Sequence, residues 1–203
     1  MKKIIPILII IYAATFANDK IQYGIFLGGN ASSVFGEYMT NEIFKAGVNG
    51  GLSLSNKMAD NLYLRTGLYY INKGFKTSKI KSKDYKNRDE RYYFLSEYIE
   101  IPFLIQFHGS ILEIESNWMA GFGVGFNIRN RGKTKVDDNS YIVDIENDVR
   151  FFEINLILGT NKMVGNHFNV DVRASAGLLP YNTHADFLGK RHVSLLLSLG
   201  YFL

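Results

Sequence analysis

Apolar and polar residues alternate along eight separate stretches of this chain, and alternation with a period of two predicts β-strands. The last stretch is the clearest, because it runs from His192 to the final residue with Ser194 and Ser198 on one face. Its other face carries Val193, Leu195, Leu197, Leu199, Tyr201 and Leu203. A strand with one continuous apolar face and one polar face is typical of a transmembrane β-barrel.

The other seven predicted strands fall at fairly regular intervals before it, at residues 21–28, 44–54, 62–71, 94–107, 118–126, 152–158 and 168–174. The connections after strands two, four and six are short, at 56–60, 109–112 and 161–167. Outer-membrane barrels keep short turns on the periplasmic side and longer loops outside the cell. The sequence therefore predicts an all-β, eight-stranded antiparallel up-and-down transmembrane β-barrel with both chain ends on the periplasmic side.

The strand faces opposite the apolar rows predict the contents of the barrel. These faces are rich in glycine and carry the charged residues Arg65, Glu100, Glu153, Asp171 and Arg173. An eight-stranded barrel has an interior that side chains just fill, and arginine facing lipid at mid-membrane costs about 2–4 kcal/mol. We therefore predict that the five charged residues form an interior polar network. A soluble β-sandwich, the alternative, leaves the glycine pattern unexplained.

Pro102 interrupts the fourth predicted strand and removes one donor from its hydrogen-bond ladder. Sheets accept proline mainly at edges and bulges. The sequence therefore predicts a β-bulge after Glu100 that turns its carboxylate into the barrel, toward Arg65 or Arg173.

The first residues predict export from the cytoplasm. Two lysines precede an apolar run at 4–12, and small residues follow at 14–17. This pattern predicts a cleaved signal peptide over residues 1–17 and a barrel domain over 18–203.

The signal holds two lysines and no acid, so its removal lowers the formal charge from +4 to +2 (4 − 2). That balance gives no reason to expect nucleic acid as a partner, and the absence of cysteine excludes disulfides and a lipoprotein anchor.

Several segments resemble the PorT-like outer-membrane β-barrels of double-membraned bacteria. The segment Tyr-Ile-Glu-Ile-Pro-Phe-Leu-Ile-Gln-Phe at 98–107 is similar to that family's Tyr-Leu-Glu-Ile-Pro-Leu-Leu strand. Residues 62–74, 120–125 and 199–203 are similar to its preceding strand, its glycine-aromatic strand and its closing strand. The resemblance implies an eight-stranded barrel in the bacterial outer membrane, and an association with protein secretion that holds for some relatives.

One short motif raises an enzymatic alternative. His192 and Ser194 lie two residues apart on one strand face, which resembles the His-x-Ser motif of lipid A deacylases. A serine nucleophile needs a base within about 3 Å. Both residues have the inward phase here, which favours a polar lining over a lipid-A-modifying enzyme. The remaining histidines lack the partners of known zinc motifs, so we predict no metal and no cofactor.

The longer connections carry the candidate interaction residues. The loop at 76–91 is basic and includes Lys79, Lys81, Lys83, Lys86 and Arg88. It is either a solvated tip or a surface that attracts lipopolysaccharide phosphates or an acidic partner. Residues 129–148 are predicted to form a hairpin above the membrane, whose edge can accept a strand from another protein. We therefore predict a monomeric protein with a structural, adhesive or envelope-assembly role exerted through its outer loops, with a small transport pore as the alternative.

Overall fold

The computed structural model describes residues 21–36, 42–77, 80–81, 89–111, 114–136, 139–143, 149–182 and 189–203. The predicted signal peptide lies outside these residues. The described part contains ten β-strands: β1 (Ile21–Phe35), β2 (Glu42–Ala59), β3 (Leu62–Thr77), β4 (Ile80–Lys81), β5 (Asp89–Ile111), β6 (Ile114–Val136), β7 (Asn139–Val143), β8 (Phe152–Val164), β9 (Phe168–Gly177) and β10 (Arg191–Phe202). Within those ranges, no helix has the length and apolar character that crossing a membrane requires.

Eight of the strands close an antiparallel ring in the order β1-β2-β3-β5-β6-β8-β9-β10, and β10 returns to β1. The closing ladder runs from the pair Gly24 and Phe202 to the pair Phe35 and Arg191. The chain end joins this seam, since the Leu203 amide donates to the Tyr23 carbonyl at 2.9 Å. The predicted fold class, an eight-stranded antiparallel barrel, is confirmed.

The strands extend beyond the predicted ones on the side opposite the short turns. β5 and β6 each have 23 residues, whereas about 9–11 residues of a tilted strand cross a bilayer. Their far ends pair with each other, and β7 pairs with residues 132–136 of β6. We call residues 89–97, residues 129–136 and β7 the outer sheet. The predicted hairpin above the membrane corresponds to β6 and β7.

The two faces of the wall differ in chemistry as the alternation predicts. The outer face carries exposed apolar side chains on every long strand, including Leu27, Leu52, Leu68, Ile105, Phe122, Leu158, Val170 and Leu197. The inner face carries buried polar side chains, and Arg65, Lys73, His192 and Asp171 are among the most completely buried side chains in the molecule. Because the period of a strand is two, each strand places one chemistry toward lipid and the other into the lumen.

The predicted bulge after Glu100 is wrong. Thr66 pairs with Phe103 and Tyr69 with Glu100 in one unbroken register, so β5 passes Pro102 without an extra residue. The missing proline donor leaves only a local gap in the ladder to β3. Glu100 reaches the lumen simply through its parity along the strand. The bulge in this part of the wall lies in β6, because Tyr98 pairs with Asn127 and Glu97 with Arg129, which leaves Ile128 as the extra residue.

Candidate functional site

The lumen nearer the short turns holds an arginine cluster formed by Arg65, Asp171, Arg173 and Tyr69. Arg65 Nη1 donates to Asp171 Oδ2 at 2.6 Å, and Arg173 Nε donates to Asp171 Oδ1 at 2.7 Å. Both guanidinium groups also donate to the Tyr69 hydroxyl, at 3.3 and 3.2 Å. Arg65 lies 4.4 Å from the centre of the Phe26 ring, a cation–π contact. One carboxylate therefore pairs with Arg65 across the barrel and with Arg173 on its own strand.

A lysine cluster lies farther toward the outer mouth and is formed by Lys73, Glu100, Glu153, Asn155 and His192. Lys73 Nζ donates to Glu153 and, at 3.2 Å, to Glu100 Oε2. Asn155 Nδ2 donates to Glu100 at 2.7 Å and to Glu153 at 3.0 Å. His192 Nδ1 lies 3.0 Å from the second oxygen of Glu153. The ammonium group is thus held between two carboxylates that come from β5 and β8.

The two clusters balance each other in charge. The arginine cluster has two cations and one anion, and the lysine cluster has one cation and two anions when His192 is counted as neutral. The two clusters together therefore hold three positive and three negative groups. Burial of charge is costly unless each group is paired and hydrogen-bonded, and this arrangement meets that condition.

The five charged residues predicted for the lumen are divided between these clusters. Arg65, Asp171 and Arg173 lie together, whereas Glu100 and Glu153 lie in the other cluster. The predicted pairing of Glu100 with Arg65 or Arg173 is wrong, because Lys73 holds Glu100. The sequence reasoning missed Lys73 because it ended the third strand at residue 71. Lys73 has the same parity as Arg65, so a longer strand would have placed it in the lumen.

An aromatic cap closes the outer mouth of the lumen and consists of Val34, Phe75, Phe94 and Tyr181. Tyr181 lies in the segment after β9 and is only 6% exposed. Its ring centre is 5.3 Å from that of Phe94 and 5.0 Å from that of His192, so the cap rests on the lysine cluster. Both backbone polar groups of Tyr181 are hydrogen-bonded. Its amide donates to the Lys190 carbonyl, and its carbonyl accepts from the Arg150 amide.

The mouth on the short-turn side is open and polar. A cavity of about 420 Å³ lies there, and its wall includes Gln106, Asn117, Asn161 and Asn169. The amides form a chain in which Asn161 Nδ2 donates to Gln106, while Asn117 and Asn169 donate to Asn161 Oδ1 at 3.1 and 2.9 Å. The short-turn end of the lumen is therefore an open cavity, which we call the periplasmic cup, and the two charged clusters lie beyond its inner end.

The structure places His192 and Ser194 inside the lumen, where they are 1% and 2% exposed. His192 contacts Glu153, but the Ser194 hydroxyl and His192 Nε2 have no hydrogen-bond partner in the described part of the chain. The serine–histidine contact that a deacylase requires is therefore not formed, and neither side chain faces lipid. Among the described residues, no group of three or more His, Asp or Glu side chains could hold a metal ion.

The predicted surface residues Lys79, Lys83, Lys86 and Arg88 lie outside the described residues. For Lys81 the structure describes the backbone alone, as part of β4, where it pairs with Asp89. The prediction that this loop attracts phosphates therefore stays a prediction.

The chain is similar to one family of outer-membrane proteins and to several solved outer-membrane structures. The family model "Outer membrane protein beta-barrel domain" matches residues 16–181. Among solved structures, Ail of Yersinia pestis in complex with the heparin analogue sucrose octasulfate is 13% identical and has a TM-score of 0.41, with 91% of this chain and 99% of that chain covered. Neisserial surface protein A is 12% identical, with a TM-score of 0.42 and coverage of 89% and 96%. OprG from Pseudomonas aeruginosa is 10% identical, with a TM-score of 0.38 and coverage of 91% and 97%. No curated protein matches the chain.

Proposed function

Since this chain belongs to the outer membrane protein beta-barrel domain family, which resides in the bacterial outer membrane, we propose that it acts through its outer sheet and not through its lumen. In this proposal the barrel is a monomeric anchor, and the outer sheet carries a structural, adhesive or envelope-assembly role. A PorT-like association with protein secretion falls within the same proposal, because a secretion partner would also meet the protein at its exposed surfaces.

The closed outer end of the lumen is the observation that carries the proposal. A solute entering from the periplasmic cup meets the arginine cluster first, then the lysine cluster, and finally the aromatic cap with Tyr181. The two charged clusters are built from almost completely buried side chains that are hydrogen-bonded across the barrel, and the cap is built from packed aromatic rings. A continuous aqueous path would require breaking several buried ion pairs, each of which costs several kcal/mol when one partner is removed.

The shape of the outer sheet supports the proposal that the protein acts through its exposed surface. β5 and β6 continue well past the length that a bilayer needs, and β7 adds a strand to their side. β7 carries Tyr141, whose side chain is 55% exposed. Strands that protrude in this way offer backbone donors and acceptors to a partner strand, while exposed aromatic side chains contribute contact area.

Site-specific crosslinking in living cells tests this proposal. A photoreactive residue at Tyr141 is expected to capture an envelope or surface protein, because this position lies on the outer sheet. The matched control is Met58, which is 63% exposed but lies at the end of β2 near a short periplasmic turn. The proposal fails if Tyr141 captures only lipid, or if Met58 captures the same protein equally well.

A small transport pore is the second candidate, and the cavity of about 420 Å³ is the observation that favours it. The cavity gives solutes access to one end of the lumen. A pore would then need the two charged clusters and the aromatic cap to rearrange together, and a conductance measurement described below distinguishes the two functions.

A further inference from the structure

The wall of the periplasmic cup is built by all eight strands of the barrel. Around the ring, the contributions begin with Gln22 of β1, Ser55 of β2 and Tyr63 of β3. They continue through the amide chain on β5, β6, β8 and β9 and end with Phe202 of β10. The cavity of about 420 Å³ has the size of pockets that hold small molecules. A molecule inside it would therefore meet polar side chains on several sides at once.

The buried part of this wall is uncharged. Its members among the described residues are Ser55, Gln106, Ser116, Asn161, Asn169 and Phe202. The charged residues Asp60, Glu115 and Lys162 also contribute to the wall, but each of them is exposed. Asp60 pairs with Lys57 and Glu115 with His108, so these acids already have partners. Because an ion is costly to bury without an opposite charge, the inner wall suits an uncharged ligand.

Three groups of the inner wall have hydrogen-bonding capacity that the fold does not use. Gln106 accepts from Asn161 through its oxygen, whereas its Nε2 donates to no described residue. The Ser55 hydroxyl likewise has no partner within the described ranges. Asn169 Oδ1 is buried and lacks a partner in the same ranges. Since buried polar groups are normally paired, these unused donors and acceptors indicate a polar ligand.

A sugar ring matches this wall in shape and in chemistry. Each hydroxyl group both donates and accepts, so a sugar can bond to Gln106 Nε2 and to Asn169 Oδ1 alike. The apolar face of the ring can pack against Phe202, whose own ring is held by Phe26 at a centre distance of 5.6 Å. An extended peptide suits the cup less well, because peptides commonly pair with a free sheet edge. Each strand of the closed ring already has a neighbour on both sides.

We propose that the periplasmic cup binds an uncharged saccharide, either a free disaccharide or the end of a longer glycan. Asn161 bonds to both Gln106 and Asn169, so the side chains that carry the free donor and the free acceptor are held in place before the ligand arrives. The charged clusters beyond the inner end of the cup keep the saccharide from crossing the lumen. The site is separate from the outer sheet, so its failure would leave the proposed function untouched.

Equilibrium binding to the full-length barrel in phosphatidylcholine nanodiscs tests the proposal. The probes are the neutral disaccharides cellobiose and N,N′-diacetylchitobiose, and the ligand controls are trialanine and inorganic phosphate. Ser55→Ala removes an unused hydroxyl, and Gln106→Glu removes the unused donor but keeps an oxygen for Asn161. One net hydrogen bond is worth about fivefold in binding, so we expect each variant to bind the disaccharides about fivefold more weakly. Ser194→Ala removes a similarly buried, unpaired hydroxyl outside the cup and is expected to bind like the unchanged protein.

Three results would overturn the proposal. Neither disaccharide could bind the unchanged protein. Trialanine or phosphate could bind as tightly as the disaccharides, which would assign the cup to a peptide or an anion. The two cup variants could bind the disaccharides as tightly as Ser194→Ala does, which would place the saccharide elsewhere. Folding of each variant is verified by its compact, heat-resistant form in detergent before binding is measured.

The hexasaccharide hexa-N-acetylchitohexaose distinguishes the two sources of the sugar. Binding as tight as that of N,N′-diacetylchitobiose would support the end of a longer glycan as the ligand. Exclusion of the hexasaccharide, with the disaccharide still bound, would support a free disaccharide.

Discussion

Replacing Lys73 with methionine should strongly destabilise the barrel. Methionine has a similar length and no charge, so the substitution leaves Glu100 and Glu153 buried without their shared ammonium group. Removing one partner of a buried ion pair costs about 3–5 kcal/mol, because the remaining charge is left uncompensated. We expect a loss of unfolding free energy of that size, which is a large part of the stability of a small domain.

Urea unfolding in lipid vesicles measures this loss, and the single tryptophan of the chain, Trp118 in β6, reports on the barrel. Lys57→Met is the matched control, since its partner Asp60 is fully exposed and such surface pairs contribute about 0–1 kcal/mol. The triple variant Lys73→Met/Glu100→Gln/Glu153→Gln also removes the two uncompensated carboxylate charges and should recover most of the lost unfolding free energy. The reasoning is refuted if Lys73→Met lowers the unfolding free energy no more than Lys57→Met does. It is also refuted if the triple variant is no more stable than Lys73→Met alone.

Two further predictions follow from the lumen and the wall. In planar bilayers the unchanged protein should produce no sustained single-channel steps, because the aromatic cap and both charged clusters block the lumen; steady steps would favour the transport pore. Gly121→Val should lower the yield of folded barrel and its unfolding free energy by about 1–3 kcal/mol or more, because a Cβ at Gly121 would lie 2.0 Å from the Phe103 carbonyl oxygen. Ala120→Val, one residue away on the exposed lipid face, is the control and should fold normally.

The fold could be predicted from the sequence because its main signal is local. Alternation along β10 separates Leu195 and Leu197 from Ser194 and Ser198 without any knowledge of neighbouring strands, and the same holds for the other seven barrel strands. The short connections likewise indicate which end of the barrel faces the periplasm. Period and loop length are properties of short segments, so a single sequence displays them.

The partners inside the lumen could not be predicted in the same way. Lys73 and Glu153 are separated by 80 positions, and their contact depends on the register of every ladder that lies between β3 and β8. Parity along a strand shows that a side chain points inward, but not which residues lie at the same height across the barrel. The same limit explains why Glu100 was assigned to an arginine, and why the bulge was placed at Pro102 and not at Ile128.

The bulge in β6 also determines how this wall can change over evolutionary time. Ile128 is the one residue in this part of β6 that the pairing with β5 does not use. Loss of its codon would leave Asn127 opposite Tyr98 and Arg129 opposite Glu97, so the two faces of the distal strand would be kept. Asn130 would still point toward Ser96 in the interior, and Arg131 would still face outward. A one-residue deletion in a regular part of the strand would instead reverse the sidedness of everything beyond it, so the bulge marks the position where β6 can be shortened without that consequence.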